Sequence, residues 1–111
     1  MADLSQDEID KLKAAHAGVE LHVVTAGSGE REVSVIVKVP NRERWNRFKS
    51  QVGDPHRKAM AFESLVRDCV VHPSTGELDR LLEQRPGLAE AFGGKLTEIA
   101  GLEESVSAKK L

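Results

Sequence analysis

The side chains able to do covalent or metal chemistry are few and scattered. Cys69 and His72 stand at a C-x-x-H spacing, and His16, His22 and His56 are the other imidazoles. A structural zinc site takes four ligands, usually from two closely spaced pairs, and the second pair is missing. Cys69 falls on the apolar stripe of a helix, which makes it a small buried hydrophobe. His72 precedes Pro73 and reads as a turn residue, while His22 falls on the polar, solvated side of a strand. A nucleophilic Ser or Cys needs a base held by a third group, and no G-x-S-x-G elbow occurs. Gly93-Gly94-Lys95-Leu96 lacks the hydroxyl that would hold magnesium, and Ala89 replaces the first glycine of a phosphate loop. Gly27-Ser28-Gly29 has no helix after it to offer amides to phosphate. Glu103-Glu104 lie in a polar tail where no burial raises a carboxyl pKa. These residues predict a non-enzymatic chain with no catalytic, cofactor-binding or metal-binding residue.

Binding chemistry is better represented. The net charge of the 111 residues is -2, yet residues 41–58 hold Arg42, Arg44, Arg47, Lys49, Arg57 and Lys58 against only Glu43 and Asp54. A basic stretch in an acidic chain can steer an acidic partner, with a pull that weakens as salt rises. Trp45 and Phe48 share this stretch, and aromatic side chains beside arginine are what interface hot spots favour. Arg42, Arg44, Trp45, Arg47 and Phe48 are therefore the candidate partner-binding set, with the aromatics as anchors and outward-facing arginines as steering charges. A second reading keeps Trp45, Phe48 and Val52 as a core stripe. The arginines could also meet phosphate, but a pI near 6.1 and the lack of a helix-turn-helix or aromatic RNA platform argue against nucleic acid.

Four large aromatics, 40% hydrophobic and 31% charged residues describe one globular domain too short for two cores. No apolar run approaches the ~18 residues of a membrane span, and Met1-Ala2-Asp3-Leu4 lacks a signal-peptide layout. A lone cysteine agrees with a reducing compartment, so a cytoplasmic location is expected.

The elements that must position the basic-aromatic stretch follow from periodicity. Ser5 and Glu8 form a capping-box spacing, and Ile9 and Leu12 recur helically, which predicts an acidic N-terminal helix within residues 5–17. Val19, Leu21 and Val23 alternate with Glu20, His22 and Val24 as a strand whose first set faces inward. After the glycine-rich break, Val33, Val35, Val37 and Val39 point one way and Ser34, Ile36 and Lys38 the other, so residues 19–39 read as a β-hairpin ended by Pro40. Asn41 caps a helix over Arg42–Val52, and a second helix runs His56–Val70 with Ala59, Phe62, Val66 and Cys69 on one stripe. Ser74 and Glu77 cap a third, to Gln84; Pro86 opens a fourth, which Gly93-Gly94 bend or split, and Gly101 ends it. Two strands are marginal alone, so the helices must cover the valines. The expected architecture is α+β: an N-terminal hairpin packed against a small C-terminal bundle of short helices. It places residues 1–102 in a single domain, its helical part at 41–101, with a disordered tail at 103–111.

Three segments carry a resemblance: Pro40-Asn41-Arg42-Glu43-Arg44-Trp45-Asn46-Arg47-Phe48, Leu65-Val66-Arg67-Asp68-Cys69-Val70-Val71-His72-Pro73, and Arg85-Pro86-Gly87-Leu88 leading to Gly93–Gly101. Together they resemble the small tail assembly chaperones of long-tailed bacteriophages and prophages, over somewhat more than half of the chain. The resemblance implies a non-enzymatic role in virion assembly: transient binding to the tape measure protein, which is kept soluble until the tail tube protein polymerises around it. It implies a site of action in the host cell cytoplasm, absence from the mature virion, no cofactor and no membrane, and it leaves a homo-oligomer open. The competing classes are a small nucleic-acid-binding regulator and a head-tail structural adaptor.

Overall fold

A computed structural model describes residues 5–101 and 106–111 of the chain. Among them the elements run α1 (Gln6–Ala15), β1 (Leu21–Ala26), β2 (Val33–Lys38), α2 (Arg42–Val52), α3 (Lys58–Cys69), β3 (Val70–His72), α4 (Thr75–Gln84) and α5 (Gly87–Ile99). A short 3-10 turn, Gly29–Arg31, lies between β1 and β2. The fold is α+β, a three-stranded antiparallel sheet in the order β1-β2-β3 with five α-helices among the described residues.

Side-chain caps start three helices where the sequence places them. The side chains of Ser5, Asn41 and Ser74 accept from the amides of Glu8, Arg44 and Glu77, satisfying donors that the first helical turn leaves free. Residues 106–111 have no regular secondary structure and are exposed; residues 103–105 of the expected tail lie outside the described residues.

The sheet departs from expectation in two ways. First, Val70–His72 form a strand on β2 instead of ending a helix and turning, with Val37 opposite Val70 and Ile36 opposite His72 across an irregularity. β2 thereby becomes the central strand, and α3 ends one residue early, at Cys69. Second, β1 shows the opposite face to the core. The register pairs His22 with Val37, Val24 with Val35 and Ala26 with Val33, so Val24 is 6% exposed while Val23 is 67% exposed. Because β1 is apolar at both parities, its own pattern cannot choose a face. The pairing chooses it, since a slip of one residue reverses every side chain. His22, expected in water, is instead half-buried on the core side, its Nε2 2.8 Å from Glu20 Oε2.

The core lies between the inner face of the sheet and α3, α4 and α5. Val35 and Val37 meet Leu65, Val66, Leu78, Phe92 and Leu96, all buried. Val39, beyond the end of β2, is only half-buried. α5 is one continuous helix rather than two. Gly93 has a packing role within it: a Cβ there would come within 2.6 Å of the Phe62 ring, so the bare backbone lets α5 lie directly on α3. On the other side of the sheet, Ile9 and Leu12 of α1 face Leu21, Val23 and Ile36 across an apolar cleft of about 90 Å³. That cover buries Ile36, although it points away from the valines.

Candidate functional site

α2 carries the basic-aromatic stretch and is fixed by its Asn41 cap at one end and by packing on α3 along its length. The helix divides the five candidate residues into two sets. Phe48 is 6% exposed and its ring packs at a tilt against both Trp45 and Phe62, each pair of ring centroids 5.4 Å apart. It is a core residue. Arg44, expected to face out, is 8% exposed. Its Nη2 donates to Ser64 Oγ at 3.1 Å and its Nε pairs with the Asp68 carboxylate. The guanidinium can go inward because α3 presents an acceptor and an anion one turn apart, which offset part of its lost hydration, while Nη1 is buried without a hydrogen-bond partner among the described residues. Arg44 therefore ties α2 to α3 instead of facing out.

Arg42, Trp45 and Arg47 remain accessible. Trp45 is half-buried, and Arg42 is exposed. Arg47 Nη1 lies 3.5 Å from the Asp68 oxygen that Arg44 also uses, so one carboxylate holds two arginines. Its side chain is still 53% exposed.

Two depressions flank the helix. One, of about 410 Å³, is lined by Asn41, Arg42, Trp45, Asn46, Lys49 and Ala100. Among the described residues its charged lining is cationic, Arg42 and Lys49, and the indole is its large apolar member. The other, of about 390 Å³, sets Lys38, Arg44 and Arg47 against Glu43 and Asp68. Three cations meet two anions there and are largely neutralised, so the unopposed positive charge of α2 lies on the Trp45 side. Lys49 and Asn46 were missing from the sequence-derived set. Their signal was available, since Lys49 stands four residues after Trp45 and Arg42 three before it, the spacings that share a helix face.

The residues weighed for other chemistry are placed apart from this surface or within the core. Cys69 is buried at the end of α3, and burial pushes its thiol pKa up; the charges of Arg44 and Lys38 oppose that shift and Asp68 adds to it. His72 lies on β3, Gly93-Gly94 lie inside α5, and Gly27 and Gly29 take positive φ in the hairpin turn. Among the described residues no three potential metal ligands gather. No helix among them is long and apolar enough to cross a membrane.

Together the fold and the surface define a small α+β domain that offers an open cationic groove around one indole. The chain belongs to the family described as a domain of unknown function (DUF6848), whose profile matches residues 10–109. None of the curated proteins matches it. Among solved structures it is similar to the uncharacterised protein rbstp2171 from Bacillus stearothermophilus, at 24% identity and a TM-score of 0.74, over 91% of this chain and 99% of that one. A likeness at that identity shows the fold alone.

Proposed function

We propose that the chain is a phage or prophage tail assembly chaperone, acting by transient binding to the tape measure protein without a catalytic step. The observation that carries this reading is the groove beside α2, where Trp45 lies between Arg42 and Lys49 with no lining carboxylate among the described residues. It adds to the resemblance of the Pro40–Phe48 segment, which contains this surface. The hairpin sealed by a small helical part supplies a rigid frame, so α2 is held ready for a partner rather than ordered by it. A tape measure protein presents long helices with apolar stripes that aggregate unless covered. An aromatic anchor in a charged rim would cover such a stripe reversibly. In this proposal the protein works in the bacterial cytoplasm, where the tail tube protein displaces it, and it is missing from the finished virion.

The test is capture of tape measure fragments by the chain and by an Arg42→Glu, Lys49→Glu double variant. Both side chains are solvated, so the variant folds like the parent. Capture is expected to fall at least tenfold, with the larger loss at low salt, where the steering field is least screened. Undiminished capture would remove the groove from the binding surface. A mobility shift of nonspecific DNA at low salt would favour the nucleic-acid regulator, and the protein's presence in purified virions would favour the head-tail adaptor.

A further inference from the structure

We infer that the chain forms a two-fold homodimer by antiparallel pairing of β1 with β1 of a second copy, joining two three-stranded sheets into one of six. The inference is independent of the α2 groove and of the proposed function.

β1 is an edge strand, since among the described residues the sheet order leaves one of its sides without a neighbour. The direction of its main-chain groups follows from the pairing. The Val39 amide donates to the Glu20 carbonyl at 3.1 Å, and the register continues from there as Leu21 with Lys38 and His22 with Val37. Antiparallel ladders alternate, so Glu20, His22, Val24 and Ala26 spend their N–H and C=O groups on β2. Leu21, Val23 and Thr25 direct theirs away from the sheet. Three donors and three acceptors thus stand in a row along the open edge.

Edge strands usually carry a device against pairing: an inward charge, a lysine, a proline or a bulge. Leu21–Ala26 reads LHVVTA and has none of these, without Asp, Glu, Lys, Arg or Pro. The edge is also self-complementary. With the two-fold axis at Val23, Val23 faces the partner's Val23, and Leu21 and Thr25 face the partner's Thr25 and Leu21. Every outward donor of one copy then meets an outward acceptor of the other. A shift by one residue would oppose outward groups to inward ones and lose them all, and a shift by two would leave one end of the row unpaired. No charged side chain lies between Leu21 and Ala26, so no like charges oppose each other along that seam.

The side chains favour a second copy over a foreign strand. Val23 is a large hydrophobic residue at 67% exposure, although it sits mid-strand beside the apolar cleft under α1. The two-fold axis places two such valines against each other, and each covers the other. It also makes the outer apolar strip of Leu21, Val23 and Ile36 continuous across the seam. Isologous pairing of this kind closes on itself and does not propagate into fibres.

The test is mass in solution by light scattering or sedimentation equilibrium, over a wide concentration series of the full chain. The expected result is a species of twice 12.1 kDa. Val23→Pro deletes only an outward N–H, which the isolated fold does not use, and edge strands tolerate proline at such positions. It should return the mass to that of one chain with an unchanged circular dichroism spectrum. Thr25→Lys, which adds a charge to the seam, should do the same. Val23→Cys should oxidise to a covalent dimer, because directly opposed residues have Cα atoms about 5.5 Å apart, within disulfide reach. Ser34→Cys, one strand further in, should not. A chain that stays at 12.1 kDa throughout would overturn the inference, as would a folded Thr25→Lys variant that keeps the doubled mass. A monomer that binds a synthetic Leu-His-Val-Val-Thr-Ala peptide would assign the edge to a foreign strand and equally overturn the dimer.

Discussion

Arg44 and Cys69 show how much a side chain's role depends on what the next element offers it. On its helix Arg44 looks the same as Arg47, yet Ser64 and Asp68 take it inward while Arg47 stays at the surface. Removing Arg44 would leave Asp68 with only the longer Arg47 contact. Cys69 is the chain's one thiol, and its burial keeps it protonated to higher pH than in an unfolded chain. The unfolded thiol ionises near its ordinary value of 9.0, while the folded one still holds its proton. Stability associated with this group is therefore complete below 9.0 and falls as pH rises past it. Urea midpoints measured from below to above that pH should decline for the parent, and the decline should flatten in Cys69→Ala. A thiol-specific reagent should react at the rate of global unfolding.

Among the elements, α5 gives the sharpest contrast, because two adjacent glycines have opposite requirements. Gly93 touches Phe62, and Gly94 faces open space, with nothing within 4 Å of an added Cβ. Gly93→Ala should cost roughly 1–3 kcal/mol through overpacking. Gly94→Ala should gain about 0.5–1 kcal/mol, the usual helix-interior preference for alanine over glycine. Equilibrium unfolding of the two variants reads both signs. The sequence alone does not separate these glycines, since both look like a break until α3 is seen beside them. The capped helices were legible because Ser5, Asn41 and Ser74 act within their own first turns. The valines of β2 were legible because only one parity of that strand is consistently apolar. β1 and β3 were not. β1 is apolar at both parities, and Val70–His72 is too short to have a period, so tertiary pairing decides both. Of the groove residues, Arg42 and Trp45 were readable from composition. The withdrawal of Arg44 and Phe48 depends on α3, which lies beyond the reach of any pattern within α2.

For the molecule as a whole, α5 is the member that joins the two parts of the fold. It packs on α3, on α4 and on β1, so the sheet and the helical layer share one core through it. Phe92 of α5 is buried in that core. Phe92→Ala should cost about 3–5 kcal/mol, a large part of the roughly 5–15 kcal/mol available to a domain of this kind. The loss should be global. Helical circular dichroism and hydrogen exchange of the β2 amides should shift together, because neither layer keeps a core without the other. Trp45 has a consequence of its own. It is the chain's single tryptophan, wetted by the groove on one side and packed through Phe48 toward Phe62 on the other. One intrinsic chromophore thus reports two events in an unlabelled sample: arrival of a guest at the rim shifts its emission colour, and loosening of the interior alters its quenching by neighbouring rings.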